Sequence, residues 1–572
     1  MLDLLIKGGT VVDGTGAAPQ RADVGIRAGR IVAVGEVDEA AERTIDAEGR
    51  VVAPGFVDVH THYDAQVLWD PACTPSPLHG VTSVVGGNCG FTIAPVADSE
   101  IDFLTKMLAR VEGMPLESLL AGVPYDWRSF GEYLDRIERG GVAVNAGFLV
   151  GHCAIRRVVM GDDGSTRQAK PEELEAMRVL LGRSLAEGGL GFSSSLATTH
   201  NDSDGEPVPS RHASHDEIIE LCRVTGEHPG TTLEFIPVVG GFAEEHLELM
   251  AAMSAAANRP LNWNVLAPSA PRRDHVYEQL RAGDYAAERG GRVLALTVPN
   301  VIQTHLSFKS GFVLDALPGW RKPMALPISD KMALLSNPEE RRKLDEQAHS
   351  PEAGILAGMA AWGTHTIVET FATENQGLAG RVVGDIAAER GRDPFDTLCE
   401  IAVRDELRTV FHPRPGADDQ ESWELRRDVW RDERAIVGAS DAGAHLDMLS
   451  TFNFSTSMLR GAREHELMPV EETVRYLTDV PARLYGLRER GRIAEGWYGD
   501  IVVFDADTIG PGPIEWRNDM PAGAGRLYGG AIGVDHVLVN GTEIVQGTEV
   551  TGATPGVVFR SGRDTDTVEA RA

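Results

Sequence analysis

Hydrophobic and polar positions fall into two textures along this chain. The first 50 residues run as short apolar stretches broken by turns, without a helical period. Residues 2–7, 10–13 and 30–34 read as strands, with Gly8 and Gly9 turning the chain between the first two. The same texture returns at the far end. Residues 500–505 and 535–539 are strands, and Asn540-Gly541 is a hairpin-turn signal. Neither block carries enough strands for a good sheet, so the two together are expected to build one small β-sandwich. Between them, strand-like runs such as 146–150 alternate with helical runs such as 171–186. That helix opens well, because Pro171 suits a first turn and Glu172 and Glu173 suit the positive end of the helix dipole. Sustained β–α alternation predicts an α/β fold of the parallel (β/α)8 TIM-like barrel type. The rhythm breaks near residues 300–364, which hold Trp320, several prolines and a charged run at 339–343. We read this stretch as an insertion over one barrel loop, a place where active-site lids occur. The expected organisation is therefore a β-sandwich part over 1–54, a barrel over 55–490 carrying the insertion, and a second β-sandwich part with a tail over 491–572.

Composition narrows the partners. The chain has 572 residues, 42% hydrophobic and 24% charged, enough for a sizeable core. Its net charge is −31, from 85 acidic and 54 basic residues. Nucleic-acid binding would need a basic patch, and an anionic membrane would be repelled. The five cysteines are scattered without a CxxC pair, the pattern of a reduced, intracellular chain. No signal peptide is recognisable, and no run approaches the ~20 apolar residues of a membrane span. We expect a cytoplasmic protein acting on a small molecule. The sequence leaves assembly into a homo-oligomer open.

Chemistry concentrates at three strand ends. Residues 57–62 read as a strand carrying His60 and His62, which two-residue spacing puts on one face, where two imidazoles can grip one metal ion. Residues 81–85 are a buried strand followed by a glycine-rich turn bearing Cys89. A thiolate there is a candidate metal ligand, although free cysteines are also common as small core residues. Residues 435–440 run into Asp441, which can bind metal and act as general base; a carboxylate there can instead cap the next helix. His445 follows, with substrate contact, support of the site, or helix capping all open.

These motifs resemble the amidohydrolase superfamily, and within it the D-aminoacylase (N-acyl-D-amino-acid deacylase) branch. The resemblance rests on Pro-Gly-Phe-Val-Asp-Val-His-Thr-His ending at His62, Gly-Asn-Cys-Gly at 87–90, Val-Gly-His at 150–152, Ser-Asp-Ala-Gly-Ala-His at 440–445 and Gly-Asp-Ile-Val-Val-Phe-Asp at 499–505. It implies a barrel flanked by a β-sandwich from both termini, with the site at the C-terminal ends of the barrel strands. In many relatives a carboxylated lysine bridges two metals. The only lysine between Lys106 and Lys309 is Lys170, at a helix start. The branch is expected to use a cysteine instead, and Cys89 matches that position. His152 matches a histidine common in the branch.

Two further histidines expected for a second metal are missing. The matching segments hold Leu233 and Glu234, and Asn262 to Asn264, and the lysine expected to hold the substrate carboxylate is missing as well. Glu234, Asn264, His152 and His445 are the remaining candidates for metal or substrate contact. Arg156, Arg157, Arg272 and Arg273 are candidate partners for a substrate carboxylate. His200 sits in a polar loop without a predicted role. The expected cofactor is zinc, one ion per chain, with another divalent metal as the alternative. The expected reaction is hydrolysis of a C–N amide bond by metal-activated hydroxide with Asp441 as base. The alternatives are another amide, a lactam or an ester, and a metal-free relative without activity.

Overall fold

In a computed structural model, the structure describes residues 1–311, 313–413 and 417–571. The chain opens with β1 (Leu2–Val11), β2 (Gln20–Arg27), β3 (Arg30–Gly35), β4 (Ala41–Asp46) and β5 (Val51–Pro54). Next come β6 (Phe56–Asp58), β7 (Val81–Gly86), β8 (Asn145–Phe148), β9 (Val150–Gly151), β10 (Gly191–Ser195), β11 (Thr232–Ile236), β12 (Leu261–Leu266) and β13 (Val293–Thr297). A pair, β14 (Thr366–Glu369) and β15 (Val410–His412), precedes β16 (Ala435–Val437). The chain then closes with β17 (Ile501–Phe504), β18 (Val534–Val539), β19 (Thr542–Gln546) and β20 (Glu549–Val550).

The two ends of the chain share one nine-stranded sheet. Its order is β20-β19-β18-β17-β5-β1-β2-β3, with β4 also paired to β1. The junction is antiparallel, Ile501 opposite Pro54 through Phe504 opposite Val51, and every residue of both strands is buried. Neither end could cover those apolar faces alone. The Asn540-Gly541 turn forms as read, with φ of 48° and 73° between the paired Val539 and Thr542. Gly8 and Gly9 do not turn the chain. β1 runs straight through them, and a register shift between Ile6 and Gly9 absorbs the irregularity as a bulge.

The middle of the chain is a mixed α/β fold with parallel strands. One set is ordered β6-β7-β8 and the other β9-β10-β11-β12-β13-β16. Only Leu149 separates β8 from β9, and its N–H donates to Gly86 O at 2.9 Å. Beyond the ends of β6 and β16, Thr61 and Ala442 form a parallel bridge. Most of these strands are short and buried on both faces, as parallel strands covered by helices must be. The helix Pro171–Ala186 has the predicted limits. β6 is shorter than read, because it ends at Asp58 and leaves His60 and His62 beyond the strand. Among the described residues, no helix is long and apolar enough to cross a membrane.

The interrupted stretch has a hydrophobic core of its own. It gathers Phe308, Trp320, Trp362, Phe395 and Phe411, so it runs well past residue 364. Trp320 and Trp362 stack with ring centroids 5.4 Å apart. This unit docks beside the loop after β16, where Thr304 bridges Leu449 and His305 N–H donates to Met448 O at 2.8 Å. A largely buried ion pair, Arg110 with Asp315, ties it to helix α1 (Ile101–Val111). Removing one partner strands the other charge. Asp315→Ala should therefore lower stability by about 1–3 kcal/mol and speed proteolysis within 306–411, read by thermal melting and limited digestion. Unchanged melting and cleavage would mean the pair contributes nothing to docking.

Candidate active site

The centre is built at the C-terminal ends of β6, β7, β11, β12 and β16, where successive loops converge. Main-chain bonding continues past the strand ends. Thr61 N–H donates to Val85 O at 3.0 Å, His62 N–H to Ala442 O at 2.8 Å, and Asp441 N–H to His60 O at 3.1 Å. The Thr61 hydroxyl also donates to Val85 O, at 2.9 Å. Thr61 thus faces away, and the alternation turns His60 and His62 together into the centre. Gly443 (φ +91°) lies so close to this strand that a Cβ would meet His62 O at 2.7 Å.

Cys89 sits in a single 3-10 turn, Asn88–Gly90, whose Asn88 amide donates to Thr61 O and Val85 O. Cys89, Asp441 and His445 all occupy the left-handed backbone region, at φ of 58°, 57° and 48°. Each such conformation costs about 1–3 kcal/mol and persists where surrounding contacts dictate it. Here the result is convergence. Cys89 Sγ lies 3.5 Å from His60 Nε2 and 3.9 Å from His62 Nε2. Asp441 Oδ1 is 3.1 Å from His62 Nε2 and 3.7 Å from His60 Nε2, and Oδ2 is 3.5 Å from His445 Nε2. The His60, His62 and Cys89 side chains are almost wholly buried, whereas that of Asp441 is 27% exposed, so it faces the opening.

The sequence-derived candidates divide. His60, His62, Cys89, Asp441 and His445 come together. Glu234 also enters the centre, and the residue of β11 that does so is not Leu233, which alternation sends into the main core. Glu234 is occupied by its neighbours: Oε2 accepts from Cys89 N–H at 2.7 Å, and Oε1 accepts from the Asn264 amide. His152 does not reach the centre. Its Nδ1 meets Ser194 Oγ at 2.8 Å and its Nε2 meets Glu217 Oε1 at 2.9 Å, beneath β10. Arg156 pairs with Glu217, and Arg157 with Glu100 and Asp162, so neither is available for a substrate.

One residue escaped the sequence reading, Glu112, and a second, His200, was given no role by it. Glu112, just beyond α1, places Oε1 3.3 Å from His62 Nδ1. Nothing in its local sequence marks it, since it looks like any helix-end glutamate. His200 packs edge-on against Phe91 at 5.0 Å, and its Nδ1 meets Ser195 Oγ at 2.7 Å. Burial first, then the fields of His445 and His62, hold His200 down at about 3.

Electrostatics show what the centre lacks. Burial, reinforced by Glu234, Glu112 and Asp441, pushes the Cys89 thiol far up. Burial lifts both Glu112 and Glu234 to about 8. Burial would lower His62, but Glu112 and Asp441 outweigh it and raise the imidazole. Burial and the neighbouring His62 hold His60 down at about 3, as a neutral donor. The thiol and the carboxyl groups thus hold their protons in this buried centre, and a cation placed among them would favour their release. Among the described residues, His60, His62 and Cys89 form one group able to hold a metal ion, and His62, Glu112 and Asp441 another. Zinc distances of about 2.3 Å to sulfur and 2.0–2.1 Å to nitrogen put tetrahedral N and S ligands roughly 3.6 Å apart, which fits this donor set.

The His152–Glu217–Arg156 cluster gives a pH prediction. Burial would raise Glu217, but the His152 hydrogen bond and Arg156 outweigh it and depress the carboxyl below 4.5. A depressed carboxyl stabilises the fold above its unfolded value and loses that contribution as pH falls through the folded one. Chemical denaturation should show wild-type stability falling below about pH 4.5. Glu217→Gln should be less stable by about 3 kcal/mol at neutral pH, with a flatter acid limb. Parallel acid limbs for the two proteins would contradict this assignment.

Comparison with known proteins identifies the family. A model of the amidohydrolase family matches residues 43–305 and 345–545. D-aminoacylase of Alcaligenes xylosoxydans xylosoxydans is 29% identical over 576 residues, covering 97% of both chains. N-acyl-D-glutamate deacylase of the same organism is 30% identical, covering 95% of this chain and 93% of the relative. A D-aminoacylase crystal structure superposes with TM-score 0.65 at 27% identity, covering 98% of this chain and all of that one. Another D-aminoacylase structure at the same score concerns a binuclear metal centre in which one metal activates and the second attenuates. With most of its length matched by the family model and its nearly full length by these relatives, the chain belongs to the amidohydrolase family.

Proposed function

We propose that this protein is a metal-dependent hydrolase of a non-peptide C–N bond, acting on a small N-acylated amino acid or a similar amide. The observation that carries this reading is the meeting of His60, His62 and Cys89 with the more exposed carboxylate of Asp441. His60, His62 and Cys89 would hold one zinc ion, with Asp441 beside them. When bound, the ion supplies a Lewis acid that brings the pKa of water to about 7 and polarises the amide carbonyl.

The residues of this chain do the rest. Asp441, with Oδ1 near His62 and Oδ2 near His445, takes the proton of the attacking water and passes it to the leaving nitrogen. His445, with Nε2 3.5 Å from Asp441 Oδ2, and His200, near enough to be held neutral in part by its field, would donate to the carbonyl oxygen as negative charge develops there. Glu234 and Asn264 stand on the strands where the D-aminoacylase branch is expected to carry the second-metal histidines. Each engages the other, which favours a single metal. Lacking also the expected lysine, the site suits an amide other than a strict N-acyl-D-amino acid, such as a lactam or cyclic amide, as the second reading.

The same reading closes the parallel strands into a (β/α)8 barrel, with β8 and β9 counted together. The Thr61–Ala442 bridge supports the closure. We assign residues 55–490 to that barrel and 1–54 with 491–572 to a β-sandwich from both ends. The separate core supports an insertion that ends near residue 412 rather than 364. Five buried, unpaired cysteines suit a reducing compartment, and we place the protein in the cytoplasm.

Elemental analysis of wild type and Cys89→Ala tests the metal site. About one zinc per chain is expected in wild type, and less in the variant. Two per chain would overturn the mononuclear reading, and none after zinc loading would overturn the hydrolase reading. In a panel of N-acyl-D- and N-acyl-L-amino acids, hydantoins and lactones, Asp441→Asn should cut turnover about 10²–10⁴-fold. Turnover close to wild type would remove Asp441 from the role of base.

A further inference from the structure

Helix α1 ends at the back of the centre. Its last turn delivers Glu112, whose N–H closes the helix by donating to Leu108 O. The carboxylate and the imidazole of His62 face each other at 3.3 Å, both side chains almost wholly buried. Among the described residues His62 Nδ1 makes no hydrogen bond as it stands, and its Nε2 points the other way, toward Cys89 Sγ and Asp441 Oδ1. Glu112 also works through its main chain, because its carbonyl accepts His445 N–H at 2.5 Å. The next residue, Gly113 (φ +58°), passes so close that a Cβ there would stand 3.2 Å from the His445 Cα. One residue thus braces two histidines of the site, one through each of its carbonyl groups.

We propose that Glu112 is a positioning residue for the metal centre, an inference that rests on the hydrolase reading above. Its carboxylate accepts the His62 Nδ1 proton, which fixes the tautomer and leaves the Nε2 lone pair for the metal. At 3.3 Å the contact lies just beyond the usual N–H···O range, so a small rotation of the imidazole closes it. A carboxylate behind a ligating histidine makes the imidazole a stronger donor and locks its ring orientation. The negative end of the α1 dipole points the same way and adds to the field that favours a cation. Among the described residues His62 is the ion-pair partner of the Glu112 carboxyl group.

The test reads metal affinity and the imidazole itself. Zinc affinity, measured by chelator competition, should fall about 10–100-fold in Glu112→Ala. Glu112→Gln should fall less, because its amide oxygen still accepts the proton. The visible spectrum of the cobalt-substituted protein should shift in both. In histidine-labelled, zinc-loaded wild type, with the signal assigned through His62→Gln, nitrogen NMR should find the His62 proton on Nδ1. This needs no Glu112 variant, so a misfolded one does not leave the question open. Unchanged zinc affinity in both variants, or a His62 proton on Nε2, would overturn the proposal. A wild type that binds no zinc but keeps the Nδ1 proton would instead overturn the hydrolase reading and leave the Glu112–His62 contact standing.

Discussion

The main-chain hydrogen bonds between residues 60–62 and residues 441–442 are the constraint on which the rest of the centre depends. They join two strand ends that are almost 400 residues apart in the chain. Without them His60 and His62 would leave the end of β6 on a free loop, and Asp441 would have no reason to meet them. Because the bonds are main chain to main chain, they set position independently of side-chain chemistry. The left-handed residues at 439, 441 and 445 show the strain this imposes on the second partner. Strain of that kind survives only where neighbouring contacts outweigh it.

Charge is the second organising fact. The centre gathers Asp441, Glu112, Glu234 and the Cys89 thiol in a largely buried space beside His60 and His62. Buried groups of one sign raise each other's cost unless a cation joins them. The protein answers part of this locally. Glu234 is bonded to Cys89 N–H and to the Asn264 amide, and Glu112 lies against His62. The remainder, around Cys89 and Asp441, is the part that a divalent ion would neutralise. A similar division holds at the periphery, where His152 and Arg156 both engage Glu217 Oε1 and the residue serves the scaffold rather than the chemistry.

The separate core of residues 306–411 gives the molecule a further layer beside the loop that carries Asp441 and His445. Its contacts with α1 and with Met448 and Leu449 mean that the last turn of α1 and the loop after β16 are held from outside as well as from within. Glu112 and His445 lie on these two segments. This unit therefore touches both supports of the centre, and among the described residues it supplies none of the groups able to hold a metal ion.

The sequence by itself determined the strand-end placement of His60, His62, Cys89 and Asp441. Apolar runs that stop at a polar residue mark strand ends, and two-residue spacing marks a shared face. It also determined that the first and last strands need each other, because neither could bury its apolar face alone. It misjudged Gly8-Gly9, since a bulge and a turn share the same residues and only pairing with β2 distinguishes them. Leu233 stands where the branch expects a histidine, but alternation along β11 sends it into the core and Glu234 into the centre, and only the register of the strand decides between the two. The sequence set His152 among the candidates, but that side chain faces Glu217, a partner 65 residues on that local pattern cannot reveal. Glu112 and His200 were decided by tertiary structure alone. Their positions follow from where a helix end and a loop are pressed against the centre, and such packing leaves no periodic trace in the chain.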